Sequence, residues 1–195
     1  MSGPLTGIRV LEIANYIAVP AAASLLAELG ADVVKVEVPW GEVYRHATPR
    51  RNGYDHDFPT SLPYEMDNRG KRSVALDLAL PEAQGALSRL IGHADIVMTN
   101  VLPGRLARFG LDAESIRRDH PSLILARMSG FAADGPQADD PGFDQTAFFA
   151  LSGLMDQARD PDSPPAFPRA ACRWSGQSSC CAALTTHWTS SERAA

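Results

Sequence analysis

A strand, helix and strand unit near the N-terminus sets the class of fold. Ile8–Ile13 alternates as a strand does, Ala18–Leu29 is an alanine- and leucine-rich helix pattern, and Ala31–Glu37 is a second strand pattern. Gly30 is expected to end the helix. Two strands joined by one helix need a parallel pairing and a right-handed crossover. The unit therefore predicts the start of an α/β fold, a Rossmann-like, mostly parallel doubly wound sheet.

The alternation of strands and helices continues after this unit. Between the second and third strands, Val38–Asp67 shows no sustained period and predicts a loop over the surface. We expect the later elements to be strands at Ser73–Leu78, Ile96–Met98 and Leu123–Ala126, and helices at Glu82–Ile91, Arg105–Phe109 and Ala113–Asp119.

Three cations lie just ahead of the third strand, at Arg69, Lys71 and Arg72. Lysine offers a compact charge and arginine a planar fork, so the cluster could hold the phosphates of a large anionic cofactor. A solvated surface turn is the alternative, and it is favoured when the cluster is considered alone. The functional interpretation depends on the segments around it.

Composition excludes several classes of partner. With 195 residues, 45% of them hydrophobic, the chain can form one large globular domain. A net charge of -5 and a pI near 5.5 argue against nucleic acid as the main partner. The longest apolar stretch, Tyr16–Ala27, is too short to cross a bilayer, and no basic leader with a cleavage site begins the sequence. We therefore expect no membrane partner and a cytoplasmic location.

The usual nucleotide-binding motifs are missing. Ala14–Pro20 stands where a glycine-rich dinucleotide loop would follow the first strand, and no Walker A lysine loop occurs. Open α/β sheets bind ligands at the carboxyl ends of their strands. The predicted carboxyl-end segments are Ala14–Pro20, Val38–Gly41, Asp77–Leu80, Asn100–Gly104 and Gly130–Pro136.

A series of motifs in a fixed order resembles the family III CoA-transferases, also called the CaiB/BaiF family. The matching segments are Pro4–Glu12, Leu29–Glu37, Asn68–Leu78, Ala94–Val97 through Asn100–Gly104, Ser129–Phe131, Gly135–Pro136, Gly142–Asp144 and Leu151–Met155. The resemblance covers roughly Pro4–Pro168. It implies an incomplete large domain of the CaiB/BaiF fold, with acyl-CoA and a small carboxylic acid as substrates and no metal. The resemblance also implies an interlocked homodimer.

The resemblance also implies residues that contact coenzyme A. They are Ala18 and Pro20 after the first strand, Lys71 in the basic segment, Leu76, Asp77, Leu78 and Ala79 at the end of the third strand, and Asn100, Val101, Leu102 and Arg108 in the next loop and helix. Lys71 and Arg108 suit a 3′-phosphate or diphosphate. Val38 departs from the family, where a basic residue is frequent. Asn100 has an alternative role as a turn residue bonded to its own backbone.

The chemistry implied by the resemblance is transfer of CoA through a nucleophilic aspartate, which forms a mixed anhydride and then an enzyme-bound thioester. That aspartate belongs to a Gly-Asp pair after the turn at Asp160–Pro165, but the corresponding window, Ala171–Trp174, holds no carboxylate. We interpret residues 1–168 as the CoA-binding N-terminal portion of a truncated member, and residues 169–195 as an atypical tail, disordered or frame-altered. Alternatives are a noncatalytic CoA-binding or interaction fragment, and a racemase-like isomerase.

Asp144 is the remaining acidic candidate for catalysis. It stands at the head of a predicted helix, where capping is favoured over catalysis. In the family's racemases a histidine precedes this aspartate, whereas here Phe143 does, which disfavours the isomerase. The cysteines, Cys172, Cys180 and Cys181, lack the spacing of a metal or redox site.

Overall fold

The structure is a computed structural model that describes residues 3–46, 61–132, 135–157, 159–160 and 162–164. Five strands of these residues form one sheet in the order β3-β2-β1-β4-β5, and every pairing is parallel. The predicted Rossmann-like, parallel doubly wound sheet is confirmed. The predicted tail at 169–195 lies outside the described residues.

The elements follow the alternating order that the sequence predicts. The strands are β1 (Arg9–Ile13), β2 (Asp32–Glu37), β3 (Arg72–Ala75), β4 (Ile96–Thr99) and β5 (Ile124–Arg127). The helices are α1 (Ala18–Glu28), α2 (Leu62–Asn68), α3 (Pro81–His93), α4 (Pro103–Arg108), α5 (Ala113–Asp119) and α6 (Leu154–Gln157), with a 3₁₀ turn at Val43–His46 and a π-helix at Asp144–Ala150.

Helices cover both faces of the sheet because alternate strand residues point to opposite sides. One face buries Leu11 and Ile13 of β1 in a core with Leu87 and Ile91 of α3. The other face buries residues of β1, β2 and β4 against α1, and its members include Val10, Val33, Met98, Val19, Ala22 and Ala23. The sheet is therefore the middle of three layers.

Gly30 ends α1 as predicted, and the backbone shows why. Its φ is +99°, a left-handed conformation that L side chains rarely adopt, and a Cβ there would meet the backbone of Gly3 at 2.9 Å. The reversal brings the chain directly into β2, where Asp32 pairs with Arg9.

One prediction was wrong in part. Val38–Asp67 was expected to be a loop, but it contains the 3₁₀ turn and most of α2, while residues 47–60 lie outside the description. At seven residues, α2 is too short to show a helical period. Ser61 accepts a bond from the Tyr64 amide and Pro63 lies in the first turn, and both are start signals that could have revealed the helix.

The third strand is also shorter than predicted. It ends at Ala75, and Leu76–Leu80 forms a turn in which the Ala79 amide donates to Asp77 Oδ1. Among the described residues no helix is long and apolar enough to cross a membrane.

Candidate functional site

The strand order reverses between β1 and β4, which is where open α/β sheets form a crevice at their carboxyl ends. Asn100 bridges the loops that follow these two strands. Its Oδ1 accepts from the Asn15 amide at 3.1 Å, and its Nδ2 donates to the Asn15 carbonyl at 2.7 Å. The side chain thus bonds the neighbouring loop, in addition to any role with a ligand.

The first turn of α1 opens onto this crevice. The helix begins at Ala18 with Ile17 as N-cap, and no described side chain caps it. Uncapped amides at a helix N-terminus attract anions. Pro20 lies buried in this first turn, so Ala18 and Pro20 belong to the start of α1, directly after the loop that follows β1.

Tyr16 holds a rare backbone conformation in the same loop, with φ at 65°. Its amide donates to Glu42 Oε2 at 3.2 Å, which helps to hold the conformation. Its ring packs edge-on against Phe143 at 5.2 Å and lies 6.2 Å from Tyr44. The loop after β1 is therefore fixed at several points.

A row of polar side chains crosses the α1 side of the sheet, and its members in β1 and β2 are buried. Glu12 of β1 pairs in register with Lys35 of β2, and Lys35 pairs with Ser73 of β3. Lys35 Nζ lies 2.7 Å from Glu12 Oε1 and donates to the Ala14 carbonyl at 3.0 Å. Both side chains are 1% exposed or less, so the ions are stable only as a pair.

Lys71 joins the row from the segment before β3. Its Nζ lies 2.6 Å from Glu12 Oε2 and donates to the carbonyls of Pro20 at 2.7 Å and Asp67 at 2.9 Å. Asn68 Oδ1 lies 3.0 Å away. The side chain is 2% exposed, and burial lowers the pKa of Lys71 to about 8 despite the attraction of Glu12.

This arrangement differs from three cations open to a phosphate. Arg69 pairs with Glu28, and Arg72 pairs with Asp32 at 2.6 Å, both on the surface. Together with Lys71, every cation of the predicted basic cluster has a carboxylate partner. A ligand phosphate would have to displace one of these carboxylates. The carboxylates bound to the two arginines are the easier ones to displace, because exposed ion pairs are weak.

Two buried carboxylates nearby have raised pKa values. Burial raises the pKa of Asp67 to about 6, and also raises that of Glu42. Asp67 Oδ2 and Glu42 Oε1 have no hydrogen-bond partner among the described residues, although Glu42 Oε1 lies 3.5 Å from Lys35 Nζ. Ionising either group inside this cluster is therefore unfavourable.

Glu37 behaves in the opposite way. Burial would raise its pKa, but hydrogen bonds from Arg45, Tyr64 and Ser73 lower it to about 2. The Arg45 guanidinium also lies 4.1 Å above the Tyr64 ring. These contacts attach α2 and the 3₁₀ turn to the sheet.

A cavity beside this cluster is too small for a nucleotide-sized cofactor. It measures about 170 Å³ and is lined by Lys35, Arg45, Tyr64, Glu65, Asn68, Lys71, Arg72 and Ser73. Ligand pockets typically measure about 300–1,000 Å³. The rim between β1 and β4, where the strand order reverses, is the candidate site for a large ligand, because open α/β sheets bind ligands there.

The remaining predicted residues lie on neighbouring parts of the rim. Leu76 and Leu78 are partly buried against the core, with Asp77 and Ala79 in the turn after β3. Val101 and Leu102 precede α4, and Arg108 is the last residue of that helix. Arg108 is exposed and forms no ion pair with any residue that the structure describes.

Asp144 is the first residue of the π-helix, and Phe143, one residue earlier, is the N-cap. The Phe143 amide donates to Thr146 Oγ1 at 3.1 Å, so a threonine also serves this helix start. The window Ala171–Trp174 and the cysteines lie outside the described residues. Within the described ranges, no group of three or more histidine, cysteine or acidic side chains is arranged to hold a metal.

Sequence reasoning missed Glu12, Lys35 and Asn15 as members of the site. A signal was present for the first two. Each is a charged residue between two apolar neighbours inside a strand, on a face that must be buried when helices cover both sides.

An open parallel sheet in the order 3-2-1-4-5, in which the strand order reverses between β1 and β4, defines a Rossmann-type α/β protein. The comparison with known proteins narrows this class. The model of CoA-transferase family III matches residues 5–192, and the chain belongs to that family.

Similar proteins of known name agree with this membership. The succinate–glutarate CoA-transferase of Agrobacterium fabrum is 40% identical over 164 residues, covering 83% of this chain and 41% of the relative. The cinnamoyl-CoA:phenyllactate CoA-transferase of Clostridium sporogenes is 36% identical over 149 residues, covering 76% of this chain and 36% of the relative. The chain thus spans about two fifths of the length of these curated relatives.

A solved structure shows the same fold. A CaiB/BaiF family protein from Brucella suis superimposes with a TM-score of 0.75 at 34% identity, covering 94% of this chain and 49% of that one. A hypothetical protein from Mycobacterium tuberculosis gives a TM-score of 0.76 at 34% identity, covering 94% and 50%. The predicted family is confirmed.

Proposed function

We propose that the chain forms the coenzyme A-binding portion of a CoA-transferase, which moves CoA between an acyl-CoA and a small carboxylic acid. The observation that carries this proposal is the crevice between β1 and β4. There the uncapped first turn of α1 stands beside the loop that Asn100 ties to Asn15. Helix amides at such a crevice suit a diphosphate.

The other predicted residues would contact different parts of coenzyme A. The backbone at Ala18 and Pro20 would approach the pantetheine or diphosphate, and Leu76–Ala79 would border the adenine. Asn100, Val101 and Leu102 would line the opposite wall. Arg108 is the best-placed cation for the 3′-phosphate, because it is exposed and its guanidinium pairs with no carboxylate in the part of the chain that the structure describes.

Further parts of the proposal concern the whole protein. Residues 1–168 would be the CoA-binding portion and residues 169–195 a separate tail. We further propose a cytoplasmic protein that forms an interlocked homodimer and has neither a nucleic acid nor a membrane partner. A tightly associated second copy would cover apolar side chains exposed at the rim, such as Trp40 at 71% and Val43 at 64%.

A second candidate is a CoA-binding segment without transferase activity of its own. It is favoured by one observation, the absence of Asp and Glu from the window Ala171–Trp174. Asp144 would then support its helix rather than attack a thioester. A transfer assay with an acyl-CoA donor and a carboxylate acceptor separates the two candidates, since only the first gives a new thioester.

Calorimetric titration with CoA and with dephospho-CoA, which lacks the 3′-phosphate, tests the binding proposal. Arg108→Met should weaken CoA binding by about tenfold or more and leave dephospho-CoA binding unchanged, because a charge-assisted hydrogen bond is worth about 1.5–3 kcal/mol. Arg105→Met is the matched control on the same helix. Absence of binding by the unaltered chain at about 1 mM CoA would overturn the proposal.

A further inference from the structure

Two buried lysines donate hydrogen bonds to the backbone on either side of the loop that follows β1. Lys35 Nζ donates to the Ala14 carbonyl at 3.0 Å, at the start of the loop. Lys71 Nζ donates to the Pro20 carbonyl at 2.7 Å, in the first turn of α1. The two ammonium groups therefore hold both ends of the segment between residues 14 and 20.

One carboxylate holds both lysines. Glu12 Oε1 lies 2.7 Å from Lys35 Nζ, and Glu12 Oε2 lies 2.6 Å from Lys71 Nζ. All three side chains are at most 2% exposed, so water does not compete with these bonds. Moving either ammonium would move the carbonyl that it binds, because a buried ion cannot leave its partners without a large penalty.

Lys71 also connects this loop to α2. It donates to the Asp67 carbonyl at 2.9 Å and lies 3.0 Å from Asn68 Oδ1. A single ammonium thus joins the β1 strand, the first turn of α1 and the end of α2. A lysine whose task was to bind a ligand phosphate would leave N–H groups free, and this one has four acceptors for three N–H groups.

We propose that Glu12, Lys35 and Lys71 are positioning residues for coenzyme A, which set the conformation of residues 14–20 without touching the ligand. The inference rests on the proposed function, since it assumes that this loop receives the coenzyme. It assigns Lys71 a role different from direct phosphate binding. Loop placement matters because a helix N-terminus binds an anion only when its amides point at it.

The charge state of Lys71 gives the proposal a measurable signature. The charged groups facing it are Glu12 from β1, Lys35 from β2, Glu42 after β2 and Asp67 from α2. Its pKa is lowered to about 8, so the ammonium loses its proton as the pH rises past 8. A neutral amine has one N–H group fewer than the ammonium and is no longer attracted to the charge of Glu12. The contacts of Lys71 with the Pro20 carbonyl and with Glu12 therefore weaken.

The test measures acetyl-CoA affinity between pH 7 and 9 for the whole chain and for Lys71→Met. Acetyl-CoA is used because it has no free thiol that titrates in this range. We expect the affinity of the unaltered chain to fall several-fold across this range, and that of Lys71→Met to be about tenfold lower at pH 7 and independent of pH. Arg9→Met is the matched control, because it removes an ion pair with Asp95 at the opposite end of β1.

Hydrogen exchange of the amides between residues 15 and 21 gives a readout that needs no ligand. Exchange should be faster in Lys71→Met than in the unaltered chain and unchanged in Arg9→Met. If the unaltered chain binds no acetyl-CoA, the proposed function fails, while faster exchange would still support the anchoring of the loop. Glu12→Gln, which keeps the shape of the side chain, replaces Lys71→Met if that variant does not fold.

Two results would overturn the positioning role. One is an acetyl-CoA affinity and pH profile of Lys71→Met equal to those of the unaltered chain. The other is unchanged exchange of the loop amides in both Lys71→Met and Glu12→Gln.

Discussion

Glu12 and Lys71 are 59 residues apart in the sequence, yet the Nζ of Lys71 lies 2.6 Å from Oε2 of Glu12 in the interior of the protein. The contact brings the segment before the edge strand β3 to β1, the middle strand of the sheet. Lys35 occupies the other oxygen of the same carboxylate. The stability of the sheet and the shape of its ligand-facing rim therefore depend on the same three charges.

Glu12→Leu should lower the free energy of unfolding by about 3–5 kcal/mol, because it deprives two buried ammonium groups of the carboxylate that they share. Urea unfolding at pH 7 measures the change. Arg9→Ala is the control, since its exposed pair with Asp95, 3.2 Å long, contributes little to stability and the hydrogen bond from the Arg9 amide to Asp95 is kept. Equal losses in the two variants would show that the Glu12 cluster contributes no more than a surface pair.

Asp67→Asn should be more stable than the unaltered chain at pH 7, by roughly 1–3 kcal/mol. The folded-state pKa of Asp67 is raised from 3.8 to about 6, so the folded state binds this proton more tightly than the unfolded state does. Its contribution to stability is present below about pH 3.8 and is lost as the pH rises through 6. Asparagine avoids that loss because it has no charge to bury.

The gain from Asp67→Asn should consequently disappear at pH 4 and below, when urea unfolding is compared at several pH values. Asp119→Asn is the control. Asp119 is exposed beside Arg118, which lowers its pKa, so this variant should give no gain at neutral pH. A less stable Asp67→Asn protein at pH 7 would contradict the prediction.

The sheet could be predicted because its strands have residue patterns that are recognisable in the local sequence. Ala31–Glu37 is rich in valine and Ile96–Met98 is apolar, as expected of strands that are covered on both faces, and helices between successive strands require parallel pairing. The α2 helix could not be read in the same way. It has fewer than two turns, so burial of Tyr64 and Asp67 leaves no repeating pattern.

The sequence predicted which loops form the candidate site, but not which side chains contact one another there. The loops after β1 and β4 were correctly placed at one rim, because carboxyl ends of parallel strands share an edge. The partner of Lys71 was not predicted, since it depends on the stagger that sets Glu12, Lys35 and Ser73 in one row. Nothing local in the sequence specifies that register between strands so far apart along the chain.

Ser24→Ala should lower the free energy of unfolding by about 1 kcal/mol. The buried Ser24 hydroxyl donates to the Asp67 carbonyl at 2.7 Å and so links α1 to α2. The loss is limited because that carbonyl keeps its bond from Lys71, and one net hydrogen bond is worth about 0.5–1.5 kcal/mol. Thermal or urea unfolding measures it.

Ser88→Ala is the matched control for Ser24→Ala. Its hydroxyl also donates to a helix carbonyl, that of Gln84 at 3.0 Å, but on an exposed face of α3. Alanine is the better helix former, so this variant should change stability by no more than about 0.5 kcal/mol. If Ser88→Ala lost as much stability as Ser24→Ala, the link between α1 and α2 would have no special weight.

Asn100→Ala should loosen the rim while leaving the fold nearly as stable. It removes both hydrogen bonds to Asn15, and because these bonds are exposed, water replaces them at little loss in stability. We expect faster hydrogen exchange at the Asn15 amide and acetyl-CoA affinity lower by about tenfold, since the loops on the two sides of the crevice would no longer be held together. Gln84→Ala, an exposed amide on α3, should change neither quantity. Faster exchange with unchanged affinity would show that the bridge orders the loop without shaping the ligand site, and unchanged exchange would show that the bridge does not hold the loop at all.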